Sequence, residues 1–172
     1  MNTQSRILLI EDDASLACAL ASVLTAEGYQ VDLLEEFDPR LSQYRAAALL
    51  SIHNDSCDYV NEDATGFKVA AASSSAYPEN AARLRDCIID RYQAATNLKF
   101  HFNTITSDMT SYHTFTETHT DTTAAIIETG FLNLDRQILT QNTDQVAQGV
   151  TNGILCYLRN EPISNSVPTL AP

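Results

Sequence analysis

A mainly parallel α/β sheet is the fold this sequence predicts, and three observations predict it. Short apolar runs at 7–10, 46–52 and 124–127 each lead into polar or charged residues, as buried strands do. Between the first run and Tyr29-Gln-Val-Asp-Leu-Leu34 lies an Ala- and Leu-rich stretch at helical spacing, so the chain opens as β-α-β, a unit that closes onto a parallel sheet. Two longer amphipathic stretches, 79–96 and 144–158, supply helices to cover it. The expectation is one three-layer α/β/α domain with five or six mainly parallel strands and helices on both faces, a size that 172 residues suit.

The elements follow in order. Arg6-Ile-Leu-Leu-Ile10 reads as the first strand, with Glu11-Asp-Asp13 at its C-terminal end. Asp12 or Asp13 can cap the helix over 14–27, because a carboxylate accepts the free N–H groups of a first turn. Leu16, Leu20, Val23 and Leu24 recur there at helical spacing, and Gly28 suits the position after the helix. The second strand is 29–34. A polar connection with Pro39 leads to the third strand, 46–52. A polar loop, 54–65, precedes a fourth strand at 66–72. Pro78 fits the first turn of a helix over 79–96, whose apolar stripe holds Ala82, Leu84, Cys87, Ile88 and Tyr92. The stretch 97–123 is crowded with Thr, Ser and His; a short strand over 100–105 and a helical turn over 109–113 are expected there. A core strand at 124–128 and a short helix at 135–139 come next. The closing helix, 144–158, carries Gly149 and Gly153, each weakening it by roughly 1 kcal/mol relative to Ala. The tail holds three of the five prolines and no periodicity. The character of the chain shifts near residue 35. This divides a single domain, 1–160, into a β-α-β head (1–35) and a body (36–160), followed by a flexible tail, 161–172.

Composition narrows the function. The formal charge is −12, with only two lysines, Lys68 and Lys99. Nucleic acid and anionic membrane are poor partners for such a chain, since phosphate contacts need Lys and Arg. The four cysteines, Cys18, Cys57, Cys87 and Cys156, form no C-x-x-C pair, and free thiols in apolar surroundings are expected rather than a disulfide frame. No apolar run reaches the length of a membrane span. The first residues do not have the make-up of a signal peptide, so the chain as written is expected in the cytoplasm.

Two stretches carry chemistry. Ala124-Ala-Ile-Ile-Glu-Thr-Gly-Phe-Leu-Asn133 delivers Glu128 to the end of a core strand, and Ala46-Ala-Ala-Leu-Leu-Ser-Ile-His-Asn-Asp55 delivers His53 to a similar place. Ligands collect at the C-terminal rim of such sheets. An imidazole and a carboxylate there are the minimum of a metal hydrolase site, in which Zn²⁺ lowers the pKa of a bound water to ~7 and the carboxylate takes its proton. Glu11, Asp12 and Asp13 end the first strand. They are candidate metal ligands, Glu11 first, and an oxygen-rich set would favour Mg²⁺ or Ca²⁺. The opposing reading is capping and solvent exposure. Among His101, His113 and His119, His113 beside Tyr112 and Phe115 is the best placed for a substrate contact or a replacement ligand.

From about Tyr29 to Leu158 the sequence resembles the zinc-dependent N-acetylmuramoyl-L-alanine amidases of the amidase type 3 family. Ser51-Ile-His-Asn-Asp55 is similar to that family's S-I-H-x-N segment, Gly66-Phe-Lys-Val69 to its G-x-x-V/F strand, and Ile126-Ile-Glu-Thr-Gly-Phe-Leu-Asn133 to its E-x-G-F-x-x-N segment. The resemblance implies that His53 binds zinc and that Glu128 is the catalytic carboxylate, base toward a zinc-bound water and then acid toward the leaving amine. The implied substrate is the amide between the lactyl group of muramic acid and L-alanine of the peptidoglycan stem peptide. The sequence departs from the family where the first strand should end in a zinc-binding His, because no His precedes His53. The implication is a zinc ion weakly held or absent, and impaired catalysis. The first 35 residues resemble instead the receiver domain of response regulators. Arg6-Ile-Leu-Leu-Ile-Glu-Asp-Asp13 matches its first strand and Mg²⁺-binding acidic pair, and Asp55 falls near its phospho-accepting position. Neither Lys68 nor Lys99 falls where that family's later lysine stands. Three functions follow: an impaired zinc amidase, a non-catalytic chimeric or degenerate α/β module, and a receiver-like phosphoacceptor.

Overall fold

The computed structural model describes residues 6–10, 14–34, 41–43 and 45–164. Its elements are β1 (Arg6–Ile10), α1 (Ala14–Ala26), β2 (Gln30–Leu34), β3 (Ala48–Asp55), β4 (Lys68–Ala71), α2 (Pro78–Thr96), α3 (Ser107–Thr110), α4 (His113–Glu117), β5 (Ala124–Phe131), α5 (Arg136–Gln141) and α6 (Thr143–Leu158). The strands form one sheet in the order β2-β1-β3-β5-β4. β1 runs parallel to β2 and β3, and β3 runs parallel to β5, whereas β4 lies antiparallel on β5. The α/β class expected from the sequence is what folds, with a mixed sheet.

Side chains alternate across a strand, so neighbouring residues of β3 and β5 serve two cores. Leu50, Ile52, Ala125 and Ile127 join Leu20 and Leu24 of α1, Leu84, Ile88 and Tyr92 of α2, and Val150 and Ile154 of α6 on one face. Leu49, Ala70, Ala124 and Ile126 join Met109 of α3 and Phe115 of α4 on the other. The long helices therefore cover one face, and the Thr-rich segment, folded into two short helices, covers the other.

α2 and α6 approach closely because α6 carries glycine at the contact. A Cβ on Gly153 would lie 2.7 Å from the Ile88 Cα, nearer than two carbon atoms can come. The helix propensity lost at Gly153 is thus offset by packing that no larger residue permits. Three residues on, Cys156 is bonded to Cys87 of α2, with Cα atoms 5.6 Å apart. This corrects the expectation of four free thiols: Cys87 and Cys156 sit on facing apolar stripes that Gly153 brings together, and only Cys18 and Cys57 are free.

Other boundaries also differ from the expectation. β3 and β5 run on past their apolar runs to Asp55 and Phe131, because pairing with each other satisfies the backbone of the polar residues. His53 and Glu128 accordingly lie within strands. The strand expected over 100–105 is reduced to a single bridge, Phe67 to Phe100, followed by a 3₁₀ turn at Phe102–Thr104. At the start of the tail, Glu161 O accepts from Arg83 at 2.7 Å and Ser164 N donates to Asp90 Oδ1 at 3.2 Å, tying 161–164 to α2.

Candidate active site

The rim formed by the C-terminal ends of β1, β3 and β5 is where sequence and structure converge. His53 pairs with Glu128 across β3 and β5, and Glu128 pairs with Lys68 across β5 and β4. Residues directly opposite in a sheet share a face, so these three form one row. Lys68 reaches this rim because β4 runs antiparallel: its first residue lies beside the later part of β5. Asp55, two residues beyond His53 on β3, shares its face and joins the same group. The Lys68 ammonium is bonded to the Asp55 carboxylate and lies 2.9 Å from Glu128 Oε2. The second contact is an ion pair without hydrogen-bond alignment, since the buried Oε2 accepts no hydrogen bond among the described residues. The Lys68 side chain is 10% exposed and that of Glu128 20%. The ammonium also lies 5.0 Å from the centre of the Phe131 ring, an attractive cation–π distance.

Aromatic rings stand around the row. Tyr112 packs edge-on to His53 at 5.0 Å and lies 4.4 Å from His113, whose Nδ1 is 3.1 Å from Glu117. His101 meets Phe131 at 6.0 Å.

Burial and charge act against each other in the cluster. Burial pushes Glu128 up, and Lys68 draws it back only in part, so it stays above the usual carboxylate range. Burial also pushes Asp55 up, but Lys68 and the Ser56 N–H outweigh it and hold Asp55 below that range. For Lys68 burial favours the neutral amine, yet the two carboxylates prevail and raise it. A cation raised in the folded state stabilises the fold below its unfolded pKa of ~10.4, and that stability is lost as pH climbs through the higher folded value. Tyr92, buried and donating its hydroxyl to Thr129 O at 2.7 Å, is likewise raised and sheds stability in the same alkaline window. Melting temperature should therefore fall above pH ~10, and Lys68→Gln should remove part of that alkaline slope while leaving the Tyr92 share. A slope identical in the variant would refute the Lys68 contribution.

A third carboxylate, Asp135, holds the frame. It is 5% exposed. It accepts from Thr65 Oγ1 at 2.5 Å, Gly66 N at 2.8 Å and Phe131 N at 2.9 Å. Gly66 adopts φ +113, and a Cβ there would lie 2.3 Å from Lys99 O, so glycine alone fits. Asp135 thus clamps the loop that ends two residues before Lys68 onto the end of β5. Thr129 Oγ1 adds a bond to Asn54 Oδ1 at 2.5 Å, fastening β5 to β3.

Of the residues singled out in the sequence, His53 and Glu128 are brought together. Glu11, Asp12 and Asp13 lie outside the described residues; β1 is described as far as Ile10, which pairs with Ser51. Asp55 is joined to Lys68, a pairing that sequence position did not suggest. His113 and His101 adjoin the rim through Tyr112 and Phe131. His119 lies 3.6 Å from Asp121 and precedes β5, at the opposite end of the strand. The sequence reading missed Lys68 and Asp135. A lysine inside an otherwise apolar strand was the available signal for the first; nothing local marks the second.

Among the described residues the donor set does not make up a catalytic zinc site. A catalytic zinc takes three protein ligands. Among the described residues no three His, Cys, Asp or Glu side chains are placed to hold a metal ion. The two carboxylates of the rim converge on an ammonium, which repels a second cation.

A sheet of this order, with an imidazole and a carboxylate paired across β3 and β5, has the framework of a cell-wall amidase domain. The family model described as N-acetylmuramoyl-L-alanine amidase matches residues 10–156, and the chain belongs to that family. The match takes in α1 and β2, part of the segment that reads as receiver-like. No curated protein matches the chain by sequence. Solved structures share its fold. The N-acetylmuramyl-L-alanine amidase of Mycobacterium smegmatis superposes with a TM-score of 0.70 at 14% identity, over 91% of this chain and 97% of that one. The CwlD amidase of Clostridioides difficile, solved in complex with the GerS lipoprotein, gives 0.68 at 14% identity, over 91% and 100%. An N-acetylmuramoyl-L-alanine amidase of Nostoc punctiforme gives 0.67 at 17% identity, over 90% and 97%.

Proposed function

We propose that this domain recognises the stem-peptide end of peptidoglycan and that its amide hydrolysis is impaired. One observation supports the reading above all: His53 and Glu128 meet at the rim in register, while Glu128 is held by Lys68 instead of standing free beside an activated water. A carboxylate already paired with an ammonium is a poor base, and hydrolysis needs a group free to take a proton from water. Binding does not need that group. The partly exposed rings of Tyr112, His53 and His113 offer apolar faces, and the polar atoms of the rim give them orientation, the usual make-up of a ligand site. The Cys87–Cys156 bond supports an oxidising compartment, and peptidoglycan lies outside the cytoplasm.

The test is binding and turnover on the same preparation. Purified muropeptides carrying intact stem peptides should bind, and Tyr112→Ala should weaken binding about three- to ten-fold through the lost ring contacts. Chromatography of the muropeptides after incubation, with or without added Zn²⁺, should show no released stem peptide. Release that needs zinc, Glu11 and His53 together would restore the working zinc amidase. Absence of any binding would leave an inert module.

A further inference from the structure

We propose that Lys68 is the resident cation of this site and excludes divalent metal from it. The inference concerns the rim alone and does not depend on which polymer the domain binds. Asp55 and Glu128 arrive from different strands and direct one oxygen each at a single point, which the Lys68 ammonium fills. Two converging carboxylate oxygens are the start of a hard-cation site. Here the cation is covalently part of the chain. Burying an ammonium is unfavourable unless its charge is matched. The match is supplied twice over by the carboxylates and once more by the Phe131 ring face. Asp55 is fixed in turn by the Ser56 N–H at 2.6 Å, so the acceptors are positioned before any ion could arrive.

Three features make the arrangement built rather than incidental. β4 runs antiparallel, which alone brings its first residue to this rim. Gly66, two residues earlier, is held in a conformation that only glycine adopts comfortably. Asp135 locks that turn with its hydrogen bonds. The lysine therefore enters the rim on a braced segment. A divalent ion at the same point would face a unit positive charge at contact distance, and its two carboxylate ligands would already be engaged. With Lys68 removed, Asp55 and Glu128 would remain as an uncompensated charged pair, two oxygens aimed at one point where a hard divalent ion can bind.

The experiment is metal titration of the full chain, stripped with chelator, by calorimetry and by melting temperature, using Zn²⁺, Mn²⁺ and Ca²⁺ salts without peptidoglycan. Wild type should show no saturable binding that depends on His53 or Glu128. Lys68→Ala should gain one saturable site that wild type lacks, because the count of uncompensated ligand charges sets affinity. The gain should vanish in Lys68→Ala combined with Glu128→Gln. Stoichiometric zinc in wild type that is lost in His53→Ala would overturn the proposal. So would a folded Lys68→Ala that binds no better than wild type. If Lys68→Ala does not fold, Lys68→Met carries the same expectation, and the wild-type titration decides by itself. Muropeptide binding is read separately, so failure here leaves the proposed function standing, and loss of muropeptide binding leaves the lysine's role standing.

Discussion

Asp135→Ala should destabilise the domain by about 3–5 kcal/mol, since it deprives three donors of their acceptor and each buried unsatisfied donor costs about 1–3 kcal/mol. The donors are Thr65 Oγ1 and the N–H groups of Gly66 and Phe131, all ending on one carboxylate. Thr65 can turn its hydroxyl elsewhere, but the two backbone N–H groups cannot leave the turn without undoing it. The loss should be read as a lowered denaturant midpoint with little change in slope, the mark of lost stability without a change in compactness. Asp135→Asn should lose less, because the amide oxygen still accepts from one or two of the donors. Metal titration on Asp135→Asn would then show whether the clamp also sets the position of Lys68. A destabilisation below ~1 kcal/mol in the alanine variant, the value of one ordinary hydrogen bond, would mean that the turn holds without its carboxylate.

Legibility in the sequence follows the range of the interaction. α1, α2 and α6 were readable because their burial pattern is periodic within the helix itself, and Gly28 and Pro78 mark their ends by local backbone chemistry. His53 and Glu128 were readable because each ends an apolar run and carries a recognisable segment. Lys68 beside Glu128 was not. The two residues meet only because β4 is antiparallel to β5 at the sheet edge, a choice of topology that a run of apolar residues does not encode. Asp135 looked like the start of a short helix, which it is; its buried clamp depends on a loop seventy positions away in the chain. The short strand expected over 100–105 failed for a related reason. Its residues alternate acceptably for a strand, but only Phe100 pairs, with Phe67 just ahead of β4, and the chain then turns into a 3₁₀ segment. Cys87 is expected on the apolar stripe of its helix and free thiols are expected in apolar surroundings; the Cys87–Cys156 bond emerges only when α2 and α6 face each other.

Reduction of that bond should lower stability by about 4 kcal/mol and melting temperature by roughly 8–16 °C. The cross-link joins positions 69 apart in sequence, and its contribution is the loop-closure entropy removed from the unfolded chain, which grows slowly with loop length. The enclosed segment contains β5 with Glu128, the Tyr112–His113 pair and the Asp135 clamp, so the cross-link bounds most of the rim. Denatured protein prepared without reductant should expose two reactive thiols, Cys18 and Cys57, and the same protein after reduction should expose four. A melt with reductant then reads the stability difference on one preparation, with no substitution to disturb the Gly153 contact. Four thiols before reduction would remove the bond and with it the support for an oxidising compartment. Two thiols with an unchanged melt would locate the constraint in the native packing of α2 on α6, where Gly153 already holds the helices together.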